Sequence, residues 1–204
     1  MKRQDALLMA LAILPTLLLS EDLPRKMAPE YLISYGKENA PIHVVEHFLL
    51  DCPFCLKLIA RDFPSIKKAY IDTGWVRWTF HLEPLGLMNF QALVCLSTLS
   101  LDQRKSFFTF LIRNLRGCNK KNPALLMQSF MTAQKSPLPQ LHRLDFLETT
   151  PAWNEAMSYL SQKNLPAQFP TFEINRQRLL LFKKPRDLTE ALNALIEKSK
   201  GEMQ

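Results

Sequence analysis

The spacing of hydrophobic positions changes along the chain, and each change marks a different kind of element. The run Ile42 to Leu50, IHVVEHFLL, is dense in β-branched and aromatic residues and reads as a buried strand. Cys52 and Pro53 then open a helix, in which Ile59, Phe63, Ile66 and Tyr70 keep helical spacing. Pro64 within it has no N–H to give and is expected to kink it. Asp72, Thr73 and Gly74 form a turn, and Trp75 to Leu82, WVRWTFHL, reads as a second strand. From Leu87 to about Lys163 the period is helical. Helices are predicted at Met88–Leu99, Asp102–Leu115, Pro123–Gln134, Leu138–Leu147 and Ala152–Lys163, with breaks at Gly117–Asn119 and Ser136–Pro139.

After Leu165 and Pro166, a short strand Thr171–Asn175, a turn and a strand Arg178–Phe182 have the look of a hairpin. Pro185 and Asp187 begin a last amphipathic helix, with Leu188, Leu192, Leu195 and Ile196 on one face. Residues 21–40, holding Pro24, Pro29 and Gly36, read as an extended lead-in. The first strand–helix–strand unit predicts a parallel crossover, and the closing pair an antiparallel hairpin. The fold class is therefore α/β: a small mixed sheet flanked by helices, with an all-helical insertion. Residues 21–86 would form the first part of the sheet domain, 87–150 the insertion and 151–204 the second part.

At 204 residues with 47% hydrophobic and 22% charged content, the chain can bury a sizeable core and is not disordered. Its formal charge is +7, of which Lys2 and Arg3 against Asp5 supply +1, leaving +6 for the rest. That charge is spread thinly, with no basic stripe interleaved with aromatics, so nucleic acid is not an expected partner. The first twenty residues stand apart. Lys2 and Arg3 precede the apolar run Ala6–Leu19, and Ser20, Glu21 and Asp22 follow. A basic start and a short apolar run fit an export signal, and the run is shorter than the roughly 18 residues that reliably span a bilayer. Either a cleaved signal or a retained anchor satisfies this pattern, and both place the chain outside the cytoplasm.

The cysteines carry the chemistry. In DCPFC, Cys52 falls where a strand ends and a helix begins, with Pro53 at the first helical position, where a missing N–H costs nothing. Unpaired backbone N–H groups and the positive helix end favour the thiolate of Cys52, making it the attacking sulfur. Cys55, one turn on, shares its face, can close a disulfide with it, and is expected to be the more buried, resolving thiol. Half a zinc site and a purely structural bridge are the competing readings of the same motif. Glu46 lies six residues before Cys52 inside an otherwise apolar strand. A buried carboxylate is expensive unless it has a task, here to exchange a proton with Cys55; the bland alternative pairs it with a Lys or Arg. In Gln168-Phe169-Pro170-Thr171-Phe172 a proline enters a strand. That calls for a strand start, an edge or a cis bond, and a cis Pro170 would leave the Phe169 backbone open to a substrate strand.

With these residues in hand, GKENAPIHVVEHFLLDCPFC and the later FPTFEIN resemble the DsbA-like family of bacterial thiol–disulfide oxidoreductases. The resemblance implies a thioredoxin-like fold with a helical insertion, and a periplasmic location. It implies Cys52 as nucleophile, Cys55 as resolving cysteine, Glu46 as buried acid and Pro170 as a cis proline. Pro53, Phe54, Phe169, Pro170 and Thr171 would then face substrate. No cofactor beyond the redox-active pair and no metal are implied. The partners would be cysteine-containing exported proteins and a membrane or periplasmic redox partner. Pro-Phe between the cysteines departs from the histidine-bearing pattern of the strongest oxidants, and Phe169 stands where aliphatic residues or threonine are usual.

Cys95, in FQALVCLSTL, and Cys118, in RGCNKKN, are either a second disulfide or a core thiol and a loop thiol. His43, His47, His81 and His142 show no ligand spacing and read as structural or surface residues, and Trp75 and Trp78 as core. An oxidase is expected over an isomerase or reductase, since 204 residues are too few for the added dimerisation module usual in isomerases of the family it resembles. A periplasmic binding or holding protein with a structural or metal-binding cysteine pair is the alternative.

Overall fold

The computed structural model describes residues 23–115, 122–179 and 185–202. Its core is a five-stranded mixed sheet in the order β1-β3-β2-β4-β5. The strands are β1 Leu32–Tyr35, β2 Ile42–Phe48, β3 Val76–Leu82, β4 Thr171–Ile174 and β5 Gln177–Leu179. β2 and β3 run parallel, as the crossover pattern requires, while β1 pairs antiparallel with β3, β4 with β2, and β5 with β4.

Between β2 and β3 lies α1, Pro53–Arg61, then a short α2, Phe63–Ile66, and a π-helical turn, Lys67–Ile71. The break between α1 and α2 is where Pro64 was expected to act. Between β3 and β4 the regular structure is all helical: α3 Leu87–Ser97, α4 Leu101–Leu115, α5 Pro123–Ala133, α6 Leu144–Leu147 and α7 Pro151–Leu160. α8, Pro185–Glu202, closes the chain and buries Leu188, Leu192 and Ile196, three of its four forecast core positions.

The sheet face under α1 and α2 is aromatic. Trp78, Phe80 and Phe172 are buried there, with Phe63 4.8 Å from Phe80 and Phe108 4.6 Å from Phe80, centroid to centroid. Phe107 and Phe130 join α4 to α5 at 5.1 Å, and Phe90 meets Trp153 of α7 edge-on at 5.3 Å. Burial of such rings dominates the hydrophobic stabilisation of a domain this size.

Two expectations need correction. The lead-in is not merely extended: it holds a 3-10 turn, Pro29–Tyr31, and the edge strand β1. Gly36 ends that strand with φ +93°, and a Cβ there would lie 2.5 Å from the Val76 carbonyl oxygen, so only glycine fits. The helix expected over Leu138–Leu147 forms only at Leu144–Leu147. Its forward part is irregular because distant side chains take its carbonyls: Gln91 Nε2 donates to Leu141 at 2.7 Å and Gln128 Nε2 to Pro139 at 3.4 Å. The last hairpin turns at Asn175 and Arg176, both at positive φ. Its second strand, expected over Arg178–Phe182, starts earlier, at Gln177, and residues 180–184 lie outside the described ones. The amino-terminal run Ala6–Leu19 also lies outside them. No helix among the described residues is long and apolar enough to cross a membrane.

Candidate active site

Cys52 is the N-cap of α1, with extended backbone at φ −88° and ψ 106°. Its Sγ accepts the N–H of Cys55 at 3.2 Å, so the sulfur occupies the place where a serine or aspartate oxygen usually caps a helix. A donor aimed at sulfur from a helix N-terminus favours negative charge on it. Cys52 is half-buried, whereas Cys55 is fully buried, and the two are unbridged. Burial, and then the hydrogen bond with Cys52, raise the Cys55 thiol well above its ordinary range. The pair is thus asymmetric: one sulfur reachable and hydrogen-bonded, the other enclosed and kept as a thiol.

Glu46 is fully buried and faces Trp78, whose Nε1 donates to Oε2 at 3.2 Å. Its Oε1 has no hydrogen-bond partner among the described residues. Burial pushes the carboxyl up to about 8, with the Trp78 bond pulling the other way. Its charge, when present, raises Cys55 further, which puts the acid and the buried sulfur within electrostatic reach of one another. No Lys or Arg is paired with Glu46 among the described residues.

The Phe169–Pro170 peptide bond is cis, and the Cys52 thiol points at the Phe169 carbonyl, 3.8 Å away. Pro53 and Phe54 are exposed beside the sulfur, Phe54 at 44%, and Phe169 is half-buried. Pro170 and Thr171 are buried. The Thr171 hydroxyl donates inward to the Gln168 carbonyl at 2.6 Å, so its side chain braces the loop instead of meeting a substrate. Cys95 is a free thiol enclosed in α3, pushed up to about 12 by burial, and Cys118 lies outside the described residues.

Comparison with known proteins gives the family and the fold. A family model described as Thioredoxin matches residues 29–197. The chain belongs to the thioredoxin family. "Disulfide bond formation protein D" of Bacillus subtilis is 42% identical over 45 residues, which are 22% of this chain and 20% of that protein. The match therefore spans about a fifth of that relative's length. The crystal structure of Wolbachia pipientis alpha-DsbA1 is similar with a TM-score of 0.65 at 20% identity, covering 88% of this chain and 97% of that one. A protein-disulfide isomerase from Novosphingobium aromaticivorans is similar with a TM-score of 0.62 at 14% identity, covering 80% and 98%. At such identities the likeness is one of fold, and the chemistry has to be argued from the site.

This thioredoxin-family site also uses residues that sequence reading missed. Asn89, buried in the first turn of α3, bonds to the backbone just before Cys52. Leu85, whose carbonyl Asn89 reaches, and Leu87 at the start of α3 both stand exposed. An asparagine in the first turn of a largely apolar helix was the available signal. On the opposite face of the sheet, His47, His81, Glu83 and Glu173 form a buried cluster. His47 Nδ1 lies 2.7 Å from Glu83 Oε1 and His47 Nε2 3.1 Å from Glu173 Oε1, while His81 Nδ1 lies 2.8 Å from Glu83. Of these, His47, His81 and Glu83 offer metal-ligand atoms within 4.8 Å of one another. Met27 N–H, however, donates to His81 Nε2 at 3.1 Å, so neutral His81 carries its proton on Nδ1, the atom a metal would need. The donor set fits a proton-bearing network and does not fit a metal.

Proposed function

We propose that this chain is an exported thiol–disulfide oxidoreductase, exchanging disulfides with cysteines of periplasmic proteins through a mixed disulfide on Cys52. The observation that carries the reading is the asymmetry of the pair. Cys52 is accessible and takes a helix-start N–H on its sulfur, and Cys55 is enclosed beside a carboxyl with a perturbed proton.

In the oxidising direction a substrate thiolate attacks Sγ of Cys52 in the bridged pair. The Cys52–Cys55 bond breaks and its electron pair goes to the Cys55 sulfur. That sulfur is a poor leaving group in its buried site, and the protonated Glu46 supplies the proton it takes up. A second substrate thiolate then attacks the substrate sulfur of the mixed disulfide. The substrate leaves with its own disulfide and Cys52 departs as a thiolate. Two electrons now reside on the pair, and a membrane or periplasmic disulfide-bearing partner must remove them. In the reverse direction Glu46 takes the Cys55 proton, and Cys55 resolves the mixed disulfide by attacking Cys52. Phe54, Phe169 and Pro170 would line the approach of the substrate strand.

Export rests on Lys2, Arg3 and the apolar run Ala6–Leu19. We propose oxidation as the direction; the similar proteins include both a disulfide bond formation protein and a protein-disulfide isomerase. Two experiments test the assignment. Cys55→Ala should accumulate a covalent substrate adduct and Cys52→Ala none; equal trapping by both would overturn the roles. Equilibration with glutathione should give a potential less negative than about −180 mV, whereas a value near about −270 mV would make the protein a reductant.

A further inference from the structure

The turn ahead of Cys52 is held from a different part of the fold. Asn89 is fully enclosed, and its side chain reaches three backbone or side-chain groups in two loops. Oδ1 accepts the Leu50 N–H at 2.7 Å. Nδ2 donates to Asp51 Oδ1 at 3.2 Å and to the Leu85 carbonyl at 2.5 Å. The amide orientation follows from the partners, because the N–H of Leu50 needs an acceptor and the two oxygens need donors. Leu50 and Asp51 lie between the end of β2 and Cys52, and Leu85 lies just beyond β3. These are the carboxyl ends of two parallel strands, and one side chain stitches them together.

Asp51 is the residue that makes this consequential. It precedes Cys52 directly and is exposed, so its carboxylate is otherwise free to swing. Aspartate is a preferred partner for the free N–H groups at a helix start, where it would compete with the Cys52 sulfur. Its negative charge beside a thiolate would also disfavour that thiolate. The Asn89 amide holds it elsewhere.

We propose that Asn89 is a positioning residue for Cys52, fixing the Leu50–Asp51 turn and keeping the Asp51 carboxylate off the sulfur and its N–H donors. The role rests on the redox reading above. It acts through Asp51 and the backbone and touches neither sulfur.

The test measures the pH at which Cys52 reaches half its maximal alkylation rate, followed by peptide mass spectrometry with iodoacetamide. Four proteins are compared: the unmodified chain, Asn89→Ala, Asp51→Asn and the double variant. With Asp51 present, Asn89→Ala is expected to move this midpoint toward alkali by about half a pH unit. With Asn at position 51, the same truncation should move it by less than half as much. A shift of equal size in both backgrounds, or none with Asp51 present, overturns the proposal. Should Asn89→Ala fail to fold, Asp51→Asn alone decides: a move under about 0.3 unit supports the tether, and a larger move toward acid overturns it. The absolute rate of the unmodified chain at neutral pH is a separate reading. If Cys52 there reacts no faster than a free cysteine, the redox assignment falls, while the difference between variants still reports on Asn89.

Discussion

Adjacent residues of β2 send buried titratable groups to opposite faces of one sheet, and the two sites handle burial in contrary ways. On the aromatic face Glu46 has a single donor, Trp78, and an Oε1 without a partner among the described residues, and burial pushes it up to about 8. On the other face His47 lies between two carboxylates, and Tyr159 adds a hydroxyl to Glu83 at 3.0 Å. There burial alone would raise Glu83, but the hydrogen bonds from His47 and His81 prevail and hold it at about 2. Burial alone would likewise lower His47, and contacts with Glu173 and Glu83 raise it instead. Both ring nitrogens of His47 face carboxylate oxygens, which favours its protonated form. A buried charge can thus be paired and kept, or left alone and neutralised. The first choice gives a fixed structural clamp. The second leaves an exchangeable proton near neutral pH, here within electrostatic reach of the Cys55 sulfur.

Removing one member from each site should therefore change stability in opposite directions. His47→Ala removes the ring that lies between Glu83 and Glu173, while Lys26 still approaches Glu173 at 3.9 Å, and a loss of about 3 kcal/mol is expected in urea unfolding at pH 7. A loss under about 1 kcal/mol would show that the cluster is wetter than its burial implies. Glu46→Gln should stabilise instead, because the amide cannot ionise. The gain is expected to be on the order of 3 kcal/mol at pH 9 and absent at pH 4, where both side chains are neutral. The same variant should slow disulfide exchange at least about tenfold, since Cys55 loses its proton partner. A variant that is more stable and equally fast would remove Glu46 from the reaction.

This contrast also separates what the sequence could tell from what it could not. Cys52, Cys55 and Glu46 were legible because each breaks its local pattern: two thiols one turn apart at a helix start, and one acid in an apolar strand. β2, α1, β3 and α8 were legible because each carries its own period. β1 was not: four residues between Pro29 and Gly36 become a strand only by pairing with β3. The His47 cluster was equally hidden. His47 and His81 are 34 positions apart in sequence, and only the β2–β3 register sets them opposite each other, with rings 4.8 Å apart. Trp78 read as core, which it is, but its bond to Glu46 depends on that same register. Asn89 reaches Leu50 across the sheet, and no spacing along the chain announces it.

The pH profile of stability sharpens the comparison further, because each limb has a different origin. Glu46 sits above its unfolded value, so its favourable contribution is complete below about 4.5 and is lost as pH rises toward 8. His47 is also raised, so its contribution is present below its unfolded value and lost as pH climbs through the folded one. Glu83 is depressed, so its contribution is present above 4.5 and lost as pH falls toward 2. His81 is lowered by burial and adds a loss as pH drops below its unfolded value. Stability should therefore decline on both sides of mildly acidic pH. Glu46→Gln should flatten the alkaline limb and leave the acid limb unchanged, while Glu83→Gln should flatten the acid limb and, because Glu83 also raises His47, part of the alkaline one. Flattening of the acid limb by Glu46→Gln would mean that the two faces titrate as one unit.

The smallest of these effects isolates a single hydrogen bond. Tyr159 is fully buried on α7, its ring 4.9 Å from that of His81, and its hydroxyl donates to Glu83 Oε1 at 3.0 Å. Tyr159→Phe keeps the ring and removes only that hydroxyl, so packing should be preserved. A hydrogen bond to a charged acceptor contributes about 1.5 kcal/mol or somewhat more, and a loss of that size is expected in urea unfolding at pH 7. The loss should shrink as pH falls toward 2 and Glu83 takes up its proton, because the acceptor is then neutral. A penalty that stays constant across that range would mean that the hydroxyl supports the packing of α7 and has no part in holding the carboxylate charge.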